Sequence, residues 1–268
     1  MNDRRVAIIG FGAIGSEVAA GLQAGLAGSV DLAVLLRPHS PRRESLPAGI
    51  RLLHDMRELL AWAPDLTVEA AGHAALAQYG ADCLSAGRDL VVSSVGALAD
   101  DVLRERLMTA AKTGRAKLIV PSGAVAGLDY LAAVRDVAGT RVTYVSRKPP
   151  AAWADELARL GLRPEDVRDE IELFAGSAAE AALRYPKNLN VAATLALGGI
   201  GMGATDVRVV VDPAAGGNQH EVIVSGPAGE CRITLVNRPS PGNPKTSWVT
   251  GLSVTAAIVR HFAPLRIG

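Results

Sequence analysis

Gly10-Phe11-Gly12-Ala13-Ile14-Gly15 follows directly on the apolar run Val6-Ala7-Ile8-Ile9 and opens an amphipathic stretch. A G-x-G-x-x-G element in that setting requires a strand, a tight turn and a helix in immediate succession. Gly10 permits the turn, Gly12 lets the backbone approach a pyrophosphate, and Gly15 lets helix and strand pack closely. The helix N-terminus then offers free N–H groups and partial positive charge to phosphates. Gly10, Gly12, Ala13, Ile14 and Gly15 are therefore candidate dinucleotide-binding positions. The alternative is a glycine-rich turn that binds nothing.

The rest of the first half supports the first reading. RRVAIIG, DLAVLLR, IRLLHD, LTVEAAG, DLVVSSVG and AKLIVPSG read as six strands, with amphipathic stretches between most of them. Strands alternating with helices of that length imply βαβ units and a parallel, doubly wound α/β sheet of the Rossmann kind. After about residue 121 the rhythm changes. Helices are expected over GLDYLAAVRDVAG, Trp153 to Leu162 and Asn188 to Leu197. The strands DVRVVVD, NQHEVIVSG and GECRITLVN cluster without helices between them, which predicts an α+β second domain on an open mixed or antiparallel sheet. Pro244 to Phe262 reads as a helix that packs back on the first domain. The expected division is 1–121 with the C-terminal helix at about 244–268, and 122–243.

The chain's 268 residues, 49% of them hydrophobic, suffice for one large domain or two modest ones. Lys and Arg number 28 against 27 Asp and Glu, with no long run of one sign, and aromatics are only 4%. Neither a nucleic-acid groove, a base-stacking platform nor an anionic membrane surface is indicated. Cys83 and Cys231 lie far apart and outside any CxxC pattern, so neither a disulfide framework nor a zinc site is expected, and a reducing cytoplasm is the simplest home. Two segments mislead. Arg4-Arg5 before the apolar run imitates a signal peptide. Asn188 to Thr205 carries no charge, yet its asparagines, threonine and glycines interrupt it, so a buried helix and a glycine-rich turn are expected.

The acidic residue that ordinarily ends the second strand and holds the ribose hydroxyls is missing. Arg37 stands there, followed by His39, Ser40, Arg42 and Arg43, while Asp31 lies at the wrong end of the strand. The arginines suit a 2′-phosphate, so NADP is expected to be accepted beside NAD; a solvated loop is the alternative. Ala71, Gly72 and His73 after the fourth strand and Ser93 to Gly96 after the fifth are expected to line the nicotinamide half, because ligands lie beyond the carboxyl ends of parallel strands. Ala71, Gly72 and Ser94 are the cofactor candidates there. His73 either reaches substrate or caps the next helix, and capping is the more economical reading.

Several segments together resemble the L-aspartate dehydrogenases: RVAIIGFGAIG, VEAAGH, DLVVSSVGALAD, PSGAVAGLD, YPKNLNVAATLALGGIG and NQHEVIVSG. The resemblance implies a Rossmann domain joined to a catalytic and dimer-forming domain. It implies oxidation of L-aspartate to oxaloacetate and ammonia through the imine, with NAD or NADP, in a homodimer that serves NAD biosynthesis. It further implies that His220 is the active-site residue and that Ala124 and Asn190 contact the cofactor. Lys187 and Asn188, at a helix start, suit a substrate carboxylate, with ordinary capping as the equal alternative. Strand alternation puts His220 on one face with Val222 and Val224, at the edge of an apolar surface. Cys231 sits in an alternating apolar strand and reads as core filler, which argues against thioester chemistry. A dihydrodipicolinate-reductase-like or homoserine-dehydrogenase-like enzyme, or a non-catalytic dinucleotide sensor, are the competing readings.

Overall fold

The structure is a computed structural model that describes residues 4–185, 190–241, 243–265 and 267. The chain divides into two units, Met1–Gly123 with Thr250–Gly268, and Ala124–Val249.

The first unit runs β1 (Arg4–Ile9), α1 (Ala13–Gln23), β2 (Val30–Leu35), β3 (Ile50–Leu53), α2 (Met56–Trp62), β4 (Leu66–Glu69), α3 (His73–Ser85), β5 (Asp89–Val92), α4 (Asp101–Gly114) and β6 (Leu118–Ile119). The sheet order is β3-β2-β1-β4-β5-β6, and every neighbouring pair is parallel. This is the doubly wound order, and it creates a crevice where the connection direction reverses, between β1 and β4. Val6, Ala7, Ile8, Val34, Val68 and Val91 have no exposed surface, as strands covered on both faces require. Replacing Ile8 with Ala would cost about 2–5 kcal/mol, the usual loss for a buried large apolar side chain. Polar caps start two of the helices: Asp55 accepts from Glu58 N, and Asp100 from Val102 N and Leu103 N.

The second unit runs α5 (Leu128–Val134), β7 (Arg141–Lys148), α6 (Ala154–Arg159), β8 (Ile171–Ser177), α7 (Ala178–Arg184), α8 (Asn190–Gly198), β9 (Thr205–Val211), β10 (Asn218–Gly226), β11 (Gly229–Asn237), β12 (Pro239–Ser240) and β13 (Asn243–Ser247). Its main sheet has the order β11-β10-β7-β9-β8 and is mixed, with β7 and β9 parallel and the other pairs antiparallel. One face carries Val142, Tyr144, Val207, Val209, Val222 and Val224 against the helices.

Two readings of the sequence need correction here. The helix α7 was not foreseen, although Ser177-Ala-Ala-Glu180 is a capping box in which each side chain bonds the other residue's backbone N–H. The stretch expected to be helical from Pro244 begins instead as strand β13, and α9 (Trp248–Phe262) starts later. Proline pushes the residue before it to extended backbone, and Asn243 pairs with Ser240. The latter part of α9 belongs to the first unit, where Val254 and Ile258 join the cluster of Val6, Ile8 and Val18.

Candidate active site

The glycine turn sits at the β1/β4 crevice. Gly10 holds φ +94°, and a Cβ on it would lie 2.6 Å from the Ala71 Cβ. A Cβ on Gly15 would run into the Gly10 carbonyl. Gly12 differs, since a Cβ there would meet nothing within 4 Å. It borders a cavity of about 370 Å³ that Gly10, Arg37, Ser40, Arg42 and Ala71 also line. Gly12 is the N-cap of α1 and brings no side chain to cap the first turn, where Ala13 and Ile14 stand. The Ile14 side chain is half-buried against the core. An open concavity against an uncapped helix start fits a pyrophosphate and its nucleoside. Arg37 is exposed, and Arg43 donates to the Arg37 and Pro38 carbonyls, which leaves Arg37 and Arg42 as the cations of this rim. Asp31 pairs in register with Arg5 at the opposite end of the strands.

The two loops beyond β4 and β5 meet at a residue that the sequence reading passed over. Glu69, the last residue of β4, is 1% exposed. Its Oε1 accepts from Ala71 N at 2.7 Å, Gly72 N at 2.8 Å and Ser94 Oγ at 3.0 Å, and its Oε2 from Ser94 N at 3.1 Å. Burial pushes the Glu69 carboxyl above the usual carboxylate range, against the pull of these bonds. The signal was present in LTVEAAG, where one carboxylate interrupts a run that a central parallel strand buries. His73 does not cap α3. Gly72, at φ +106°, occupies the N-cap, and His73 is the first residue inside the helix, half-buried.

In the second unit, His220 is 4% exposed on β10, in phase with buried Val222 and Val224. Register sets it opposite Ser146 of β7. Tyr144 and Lys148, two residues either way on the same face, are buried with it. The Tyr144 hydroxyl lies 2.7 Å from His220 Nδ1, while Nε2 is buried without a hydrogen-bond partner among the described residues. Burial, and then the positive charge of Lys148, push the His220 pKa from 6.5 down to about 4. Burial also lowers Lys148, whose Nζ lies 5.2 Å from the centre of the Trp153 ring. Burial raises the Tyr144 hydroxyl well above the usual phenol range, so it stays a phenol. Tyr144 and Lys148 were missed, although polar residues on the buried phase of RVTYVSRKP were the clue.

The remaining candidates are reported where they fall. Ala124 is buried, and its carbonyl accepts from Asn237 Nδ2 at 2.8 Å. Asn190 is the first residue of α8, and its carbonyl accepts from Thr194 Oγ1 at 2.9 Å. Lys187 and Asn188 lie outside the described residues. Cys231 is half-buried against the core of the sheet, and Cys83 is fully buried, with its thiol pushed up to about 12.

A doubly wound first unit with a glycine turn at its crevice, joined to a mixed-sheet second unit bearing a buried histidine, defines a two-unit nicotinamide-dinucleotide dehydrogenase. Residues 10–121 match the family described as homoserine dehydrogenase, NAD binding domain, and residues 129–261 match aspartate dehydrogenase, C-terminal. The chain is 54% identical to L-aspartate dehydrogenase 2 of Bordetella pertussis, covering 98% of this chain and 99% of that one. It is 39% identical to the L-aspartate dehydrogenase of Ruegeria pomeroyi, covering 98% and 94%. The crystal structure of aspartate dehydrogenase from Thermotoga maritima superposes with a TM-score of 0.75 at 26% identity, over the whole of both chains. The chain belongs to the L-aspartate dehydrogenase family.

Proposed function

We propose that this protein oxidises L-aspartate to oxaloacetate and ammonia through iminoaspartate, reversibly, with NAD or NADP. The observation that carries this is the 54% identity to an L-aspartate dehydrogenase over nearly the full length of both chains. When bound, the nicotinamide takes up the hydride that leaves the substrate's α-carbon. Gly10, Gly12, Ala13, Ile14 and Gly15 hold the pyrophosphate through backbone N–H groups, and Arg37 meets the adenosine ribose or its 2′-phosphate. Ala71, Gly72, Ser94, Ala124 and Asn190 serve the rest of the cofactor. Lys187, Asn188 and His73 take the substrate's carboxylates.

His220 is the acid/base. As the amine becomes an iminium, water adds to the α-carbon, the C–N bond breaks, and ammonia leaves. His220 removes the proton from the water and returns one to the departing nitrogen. A depressed pKa keeps its imidazole neutral near pH 7 and able to accept. The acid/base role requires the tautomer in which Nδ1–H donates to the Tyr144 oxygen and the lone pair is on Nε2, which has no hydrogen-bond partner among the described residues.

The test is the absorbance of the reduced nicotinamide, with NAD and NADP each offered beside L-aspartate, homoserine and a panel of other amino acids. Turnover with L-aspartate is expected. Turnover with homoserine alone would favour the activity named by the first unit's match, and binding without turnover a sensor.

A homodimer is part of the proposal. In the second unit β11 is an edge strand, and Val236, Trp248 and Val249 are exposed at 62%, 45% and 37%. Val236 lies on that edge and the other two at the start of α9, and an open strand edge or an exposed apolar patch is usually covered. A monomeric mass in light scattering would remove this part. The reading also puts the enzyme in the cytoplasm, in keeping with its two free thiols. Among the described residues, no helix is long and apolar enough to cross a membrane.

A further inference from the structure

We propose that Glu69 is the positioning residue for the nicotinamide half of the cofactor site, holding the two loops that line it as one rigid piece. The inference rests on the dinucleotide reading above. Glu69 lies at the carboxyl end of β4, beside Ile9 of β1, where the strand order opens its crevice. Its carboxylate gathers donors from both sides: Ala71 N and Gly72 N from the loop after β4, Ser94 N and Ser94 Oγ from the loop after β5. Its own carbonyl accepts from Ser93 N at 3.1 Å, which ties the second loop again. Glu69 and Ser94 are 25 residues apart in sequence, and the two loops share one anchor.

The chemistry of these donors makes the anchor specific. Three of the four are backbone N–H groups, and a buried N–H without an acceptor is costly. They turn inward to the carboxylate, which fixes the course of both loops where they leave the sheet. A glutamine keeps the size and one acceptor oxygen, but it sets an NH₂ against an N–H. Either Ser94 N or the Ala71 and Gly72 pair then loses its partner, and the two loops separate.

The experiment is calorimetric titration of the parent, Glu69→Gln and Ser94→Ala with two probes. One is NAD⁺ or NADP⁺, whichever the parent binds more tightly. The other is ADP, which carries the adenosine and both phosphates but no nicotinamide riboside. Glu69→Gln should weaken the dinucleotide on the order of tenfold, the loss expected for hydrogen bonds to a charged group, and leave ADP nearly unchanged. Ser94→Ala, which removes one side-chain bond, should shift the same ratio by less. Equal weakening of both probes, or of neither, would overturn the proposal, because general loosening of the domain does not discriminate between them. If Glu69→Gln shows no cooperative melting, the Ser94→Ala ratio decides by the same criterion. A parent that binds neither probe sinks the dinucleotide reading itself, a result distinct from equal weakening.

Discussion

The Tyr144 hydroxyl lies 2.7 Å from Nδ1 of His220, and the two rings stack with centroids 5.9 Å apart and planes 18° from parallel. One nitrogen of the imidazole is thus occupied by a phenol that stays protonated, and the other is left for chemistry. Tyr144→Phe keeps the ring and its packing and removes only the oxygen. A hydrogen bond of this kind contributes about 0.5–1.5 kcal/mol, so turnover should fall roughly threefold to tenfold with little change in cofactor affinity. Stopped-flow and steady-state rates measure this. Unchanged turnover would mean that the phenol does not orient the histidine.

His220→Ala should lower turnover by about 10²–10⁴-fold, the usual worth of a general acid/base, with cofactor affinity nearly unchanged. A second readout is stability against pH. The folded-state pKa of about 4 lies below the ordinary 6.5, so the unfolded chain binds the proton more readily. This contribution is intact above pH 6.5 and is lost as pH falls from 6.5 towards 4, by about 3 kcal/mol in all. Urea midpoints taken at pH 7 and pH 4.5 should converge for His220→Ala relative to the parent. An identical slope in both proteins would show that His220 is not buried neutral.

Gly10 and Gly12 should fail in different ways. Gly10→Ala forces a Cβ into Ala71 at a backbone φ of +94°, so its melting temperature should fall by several degrees. Gly12→Val adds a side chain whose Cβ meets nothing within 4 Å beyond its own stretch of chain. It should melt like the parent and bind neither NAD nor NADP. Differential scanning calorimetry beside cofactor titration separates the two. Parental cofactor affinity in Gly12→Val would remove the pyrophosphate from this turn.

Arg37 borders the same cavity as Gly12, at the end of β2 where an acid ordinarily selects NAD. Arg37→Asp should weaken NADP by about tenfold or more and NAD much less, since the substitution trades a partner of the 2′-phosphate for a like charge. Michaelis constants for the two cofactors decide it. Equal effects on both would show that Arg37 does not meet the ribose.

Much of this was legible in local pattern. The glycine turn followed a buried apolar run, the alternation of NQHEVIVSG put His220 on the inner face, and the six parallel strands fell where turn residues bounded them. The misreadings were also local in origin. Pro244 to Ser247 was extended into the following helix because its pairing with β12 depends on a turn that periodicity does not record. The helix α7 was overlooked despite its capping box.

By itself the sequence determined the strand–turn–helix unit, the phase of each strand and the cationic end of β2, because these follow from backbone sterics and from side chains that repeat every two or every 3.6 residues. Only the tertiary structure decided what the buried polar groups do. Tyr144 and His220 are 76 residues apart, and Glu69 and Ser94 are 25 apart. They meet because β7 lies beside β10 and β4 beside β5 in one register and not another. A slip of one residue would turn each of these side chains to the opposite face, and no local pattern of polar residues records which strand will be the neighbour.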